Sequence, residues 1–428
     1  MNSNLSLTSL RNDLKSMHWS ERTEILWLAL MLNAFPFSSG VSVAFAYIWM
    51  LNVFVKNTLL KRWSFFDWHQ DKNGHYSRIC YMLLPMICYW IAYLVSMFWT
   101  ENISYGLQEI NSNVWMLFFP LVFALTDFRQ LTSEWLRSFF WMFVCILSAL
   151  FMGCFVNVLV SYKIAYGSFV WYLMSRQFYF IHHSYMALYI LTGLAFLYCE
   201  WARQKKHGKR QVVTTMVCAC CLILFLLCIN SRAGLLCLII LMLLCWMHQC
   251  FVRKNYRFAW ISLVIVSLLV VVSHFAMPEH FRRLSATIEQ VAQGDKSDCR
   301  FEIMGNAWMV VKDNMLWGVG AGDRLDELIP YYGSAEDTYC PHNQYLDTWL
   351  ATGLPGLLSL LAMLVLPLAL AWRKRFIFPV LFVIMLGLSL MFESMLERQM
   401  GIVFVALIYV LMAMFFAVES SDNKYIKS

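Results

Sequence analysis

Arg232 stands in an abrupt polar turn, Ile229-Asn230-Ser231-Arg232-Ala233-Gly234, between two long apolar runs. A guanidinium fork matches phosphate oxygens two at a time, and small neighbours let a headgroup approach the backbone. One reading of the turn is an anion clamp; the other is an arginine snorkelling from a helix end to lipid headgroups. Arg300 begins a helical stretch at Cys299-Arg300-Phe301-Glu302, and Arg282 and Arg283 lie upstream on another. His342, within Cys340-Pro341-His342-Asn343-Gln344, carries the one side chain whose ordinary proton affinity lies near neutrality. It could deprotonate a hydroxyl or donate to phosphate, with Asn343 in support, although a lone histidine more often makes a structural hydrogen bond. His183 follows His182 at the start of another apolar run, and adjacent imidazoles point to different helix faces, which argues against a metal pair. Glu393, Glu397 and Arg398 gather at the end of a later run, where a structural ion pair is the default.

The elements that must position these residues are membrane helices. Of 428 residues 60% are hydrophobic and 14% charged, where a soluble enzyme would have roughly a quarter charged. Apolar runs fall at about 23–37, 39–55, 79–99, 113–126, 135–160, 183–202, 212–230, 234–252, 258–275, 356–372, 376–392 and 400–418. They predict an all-α polytopic membrane protein of about twelve transmembrane helices, the first two joined as a tight hairpin or one broken pair. Residues 1–22 read as a surface-lying segment, 23–275 as the first nine helices, 276–355 as a helical extramembrane domain, 356–418 as the last three helices and 419–428 as a tail. In that domain Phe301, Met304, Trp308 and Val311 repeat at helical spacing. Gly318-Val319-Gly320-Ala321-Gly322 lacks the Lys-Ser/Thr and the βαβ unit of a nucleotide loop and reads as a turn, and Gly353 to Gly356 as a helix break.

Charge placement sets the orientation. Lys56, Lys61, Arg62, Lys72 and Arg78 form one basic clump, Arg203, Lys205, Lys206, Lys209 and Arg210 another, and Arg253, Lys254 and Arg257 with Arg373, Lys374 and Arg375 fall on the same side. The positive-inside rule makes that side cytoplasmic, both termini with it, and the 276–355 domain periplasmic. The net charge of +7 is therefore topological and does not point to nucleic acid. The spans hold no carboxylate away from their ends, which disfavours an ion-coupled transporter or flippase and places the site at the outer interface. Several arginines there suit a negatively charged ligand. Most of the fourteen cysteines lie in apolar runs, where they act as small hydrophobes.

His342-Asn343, nine residues, Gly353, two residues and Gly356 resemble the signature of the bacterial O-antigen ligase and O-antigen polymerase superfamily. Asp313 to Gly322 is similar to that domain's Gly-Val-Gly turn, Arg300 and Trp308 fall where it carries an Arg and a Trp, and Ser231-Arg232-Ala233-Gly234 resembles its Ser-Arg turn. Leu357-Leu358 follows Gly356 where ligases often show Thr-Gly, which leaves ligase and polymerase both open. The resemblance implies an inner-membrane glycosyltransferase whose donor is a glycan on undecaprenyl diphosphate. The acceptor is a hydroxyl of lipid A-core in a ligase, or a second lipid-linked glycan in a polymerase. It implies inversion at the anomeric centre, no metal and no cofactor, with Arg232 and Arg300 on the diphosphate and His342 as base or leaving-group contact. The spacing and the number of spans fit the ligase pattern, and where polymerases often show a second Arg-rich outer loop, the loop before the sixth span here holds only Lys163 and Arg176. Cys299 and Cys340, the only cysteines of the long polar segment, could pair in an oxidising periplasm.

Overall fold

A chain in a bilayer must satisfy its backbone internally, and a helix does so within one segment. The computed structural model describes residues 17, 19–60, 80–126, 131–165, 181–204, 208–229, 231–257, 299–332, 340–374 and 376–425, with scattered positions from 260 to 271. Among them every regular element is helical. The chain order is α1 (Trp19–Ala34), α2 (Ser39–Leu59), α3 (Leu84–Ser96), α4 (Ile103–Asn113), α5 (Trp115–Leu125), α6 (Ser133–Ala165) and α7 (His183–Arg203). There follow α8 (Lys209–Cys228), α9 (Arg232–Met247), α10 (Cys299–Asp313), α11 (Gln344–Lys374), α12 (Ile377–Phe392) and α13 (Gln399–Tyr425).

Seven of the described helices are long and apolar enough to cross a membrane: α2, α6, α7, α8, α9 with the π turn that extends it, α11 and α13. The molecule is a polytopic membrane protein. Four further apolar runs form α1, α3, α5 and α12, which have 16, 13, 11 and 16 residues. The run at 258–275 falls mostly outside the described residues, as does the stretch from 272 to 298; of the expected surface segment 1–22 the described end from Trp19 is already in α1, and of the expected tail 419–428 the residues to Tyr425 continue α13.

Two helices fill the centre. The membrane window of α13 is 89% buried and that of α7 is 83%, against 33–39% for the other five. The outer helices turn Leu51, Phe54, Val217, Ile239, Leu358 and Val365 outward. In water such a surface would invite association; beside lipid chains it costs little. Inside, hydroxyls on the central helices find carbonyls, Tyr189 donating to Met400 O at 2.7 Å and Tyr409 to Met363 O at 2.7 Å. The first two runs form a helical hairpin: Ser38 caps α2 by accepting from Val41 N–H, and a buried Lys56–Glu24 pair at 3.1 Å closes the far end. Arg137 binds Glu200 through two bonds of 2.7 Å. Both pairs lie near helix ends, as the scarcity of charge in mid-span requires.

The polar segment before the last spans is described from α10 onward. Ala307, Val310 and Val311 of α10 pack on Leu328 and on Leu350 of α11. The buried face runs through Ile303, Ala307, Val310 and Val311; of the expected stripe Val311 is buried, Met304 and Trp308 are half-buried, and the Phe301 side chain lies outside the described residues. Trp308 packs at the edge of this cluster, its ring 5.6 Å from that of Trp349.

Helix α11 is broken at Gly353, where φ is 67° and ψ is −157°. The glycine turn reads correctly as structural, and its role is to seal this break. Val319 N–H donates to Leu350 O at 2.8 Å and Gly320 N–H to Ala351 O at 3.1 Å, capping carbonyls that the break frees. Leu354 N–H donates in return to Met315 O and Leu316 O, both at 3.1 Å. A Cβ on Gly353 would stand 2.3 Å from Leu316 O, and one on Gly318 2.5 Å from Gly353 N, so side chains are excluded from both. Pro355 then falls in the first turn of the second half, where its missing N–H costs nothing.

Candidate active site

The turn before α11 exposes one imidazole. Asn343 is the N-cap: its Oδ1 accepts Tyr345 N–H at 3.0 Å and Leu346 N–H at 3.2 Å. His342 precedes it with φ of 48°, in the left-handed region. This geometry brings His342 Nδ1 to 3.0 Å from Glu393 Oε1, at the end of α12. The other carboxylate oxygen accepts from Ser184 Oγ at 3.1 Å, in the first turn of α7. Glu393 is the more buried partner, 14% exposed against 31% for His342. Burial alone would push its carboxyl up, but the hydrogen bond from His342, the charges of His342 and His182 and the bond from Ser184 outweigh it and hold Glu393 below the usual carboxylate range.

Arg232 and His183 belong to the same end of the bundle. The two imidazoles do not point apart as expected: His182 is the N-cap of α7, and its ring lies 4.0 Å from that of His183, tilted by 39°. Ser231 caps α9 by accepting from Gly234 N–H at 3.1 Å, and Arg232 is the first residue of that helix, half-buried. Gly234 sets α9 against α7, since a Cβ there would lie 2.9 Å from the Cβ of Ala187. Arg232 thus adds its guanidinium to the positive end of a helix dipole, next to the helix that begins with His183. Arg300 is in the first turn of α10, its side chain outside the described residues, and Arg282 and Arg283 lie outside them altogether. Cys340 is a free thiol, and the Cys299 side chain is outside the described residues.

Behind the imidazole lies a buried cluster. Arg324, 1% exposed, donates to Asp347 of α11, to Glu109 of α4 at 3.0 Å, to Tyr105 at 3.0 Å and to Glu397 at 3.2 Å. Its neighbour Asp323 accepts Glu101 N–H at 2.8 Å and Asn102 N–H at 2.7 Å, fixing the start of α4. Burial works to lower the proton affinity of Arg324, yet Asp347, Glu109, Tyr105 and Glu397 together raise it well above its usual value, so it stays charged. Burial pushes Glu109 up, opposed by Arg324 and assisted by Glu397. Glu393 and Glu397 therefore turn to His342 and Arg324, whereas the sequence suggests only a local pair at the end of the span. The sole sequence signal for Arg324 is that Asp323-Arg324 directly follows the glycine turn. Among the described residues no group of three or more His, Cys, Asp or Glu is arranged to hold a metal ion.

The fold and the site define a polytopic helical membrane protein with a carboxylate-held histidine at one end of its bundle. Residues 215–361 match the family model described as O-antigen ligase, and this stretch includes the Ser-Arg turn, the glycine turn and the His-Asn signature. No curated protein matches the chain.

Proposed function

We propose that this chain is an O-antigen ligase-like glycosyltransferase of the bacterial inner membrane, acting at its periplasmic face through about twelve spans with both termini cytoplasmic. It moves a glycan from undecaprenyl diphosphate to a sugar hydroxyl of lipid A-core. The observation that carries the reading is the His342 Nδ1 to Glu393 Oε1 contact of 3.0 Å. When Nδ1–H donates to the carboxylate, Nε2 presents its lone pair, and the ionised partner stabilises the imidazolium that forms. His342 then takes the proton of the acceptor hydroxyl as its oxygen attacks the anomeric carbon. The carbon–oxygen bond to the diphosphate breaks on the opposite face, which inverts the centre. Arg232 and Arg300 receive the charge that develops on the departing phosphate, a task that needs neither metal nor cofactor in this scheme.

A polymerase would use the same donor and a second lipid-linked glycan as acceptor. Disruption of the gene followed by a lipopolysaccharide gel separates the two. Loss of all polymer from lipid A-core is the expected result, core bearing a single repeat would assign a polymerase, and an unchanged ladder would contradict both.

A further inference from the structure

His342 and Glu393 sit on separate elements, the turn before α11 and the loop of residues 393–398 between α12 and α13, so their 3.0 Å contact depends on what holds these two elements in register. Two buried ties do so. Leu396 N–H donates to Gln344 Oε1 at 2.6 Å, and Gln344 Nε2 donates in turn to Thr348 Oγ1 at 3.1 Å. The second tie is Arg324, which grips Asp347 in the first turns of α11 and Glu397 four residues beyond Glu393, while Glu109 and Tyr105 anchor it to α4. Its hydrogen bonds and ion pairs reach neither His342 nor Glu393. We propose that Arg324 is a positioning residue for the His342–Glu393 pair: its guanidinium fork spans Asp347 and Glu397 and so fixes the distance between the imidazole and the carboxylate that orients it. This rests on the reading of His342 as the base.

A planar fork reaches several carboxylates at once in a fixed geometry, which a lysine ammonium at the end of a flexible stem does not reproduce. Arg324→Lys keeps the charge and loses the geometry. Glu397→Gln cuts only the arm to the loop, and because Glu397 is 24% exposed and Asp347 and Glu109 still neutralise Arg324, this variant folds even where the first does not. Misplacement of a catalytic group by about 1 Å can cost on the order of a hundredfold in rate.

The experiment uses full-length protein in detergent or membranes and two readouts. Glycan transfer is expected to fall about tenfold to a hundredfold in both variants. The second readout needs no substrate: carbethoxylation of His342 by diethyl pyrocarbonate at one mildly alkaline pH, followed by mass spectrometry of its peptide. Loss of the orienting carboxylate in Glu393→Gln slows this reaction, and Arg324→Lys and Glu397→Gln are expected to slow it to the same extent. In a Glu393→Gln background they are expected to slow it no further, whereas a general loosening of the fold would act in both backgrounds. Wild-type transfer and wild-type carbethoxylation in Glu397→Gln would overturn the proposal, as would a further slowing in the Glu393→Gln background. Should His342→Ala retain transfer, the functional reading fails, while the carbethoxylation series still decides whether Arg324 sets the pair.

Discussion

His342 Nδ1 faces Glu393 Oε1, and the second carboxylate oxygen is held by Ser184, so the carboxylate is held on one side by a hydroxyl and on the other by the imidazole. Because Glu393 is held below its usual value of 4.5, the stability it contributes is fully present above that value and is lost as the pH falls through the depressed folded one. Glu109 has the opposite sign, its stabilisation being present at low pH and lost as the pH rises through its raised value. Thermal melts in detergent through the acid range should therefore show a decline in Tm below pH about 4.5 that Glu393→Gln flattens. An identical decline in the variant would show that the contact contributes nothing to acid stability. At this scale the residue types were legible where chemistry is rare: a histidine, an arginine in a turn of small residues, an asparagine before a helix. Glu393 and Arg324 were not, because their meaning lies in partners 51 and 215 positions away, His342 and Glu109.

The element that organises the site is the broken helix α11 with the glycine turn sealed onto it. The first half carries Asn343, Gln344 and Asp347 toward the site, while the second continues as a membrane helix. Gly353→Ala places a Cβ against the Leu316 carbonyl in a backbone region that an L side chain rarely adopts, so it should destabilise by at least the strain of that conformation, about 1–3 kcal/mol. Gly305→Ala, in α10 with open space around it, should be neutral or stabilise by about 0.4–1 kcal/mol. Chemical or thermal unfolding of the two variants checks the contrast, and equal effects would argue against a sealed break. The glycines were readable as a turn and a break, since both signals are local. That the turn caps the break was not readable, because nothing in Val319 or Gly320 announces a carbonyl 31 residues further along.

Across the whole molecule, hydropathy marked nearly every described helix, and low charge marked a membrane protein, because a bilayer penalises each exception strongly. Burial order was less visible: α7 and α13 are apolar like their neighbours, yet they are the ones enclosed. An apolar residue reads alike whether lipid or protein surrounds it. The bundle holds a few polar groups at one end, and the proposed role of His342 on the acceptor hydroxyl is open to a direct test. The direct measurement is glycan transfer to lipid A-core in cells whose only copy is His342→Ala or Arg232→Ala, with each variant's amount in the membrane matched to wild type. No detectable product is expected from either variant. Wild-type amounts of product from both would contradict it.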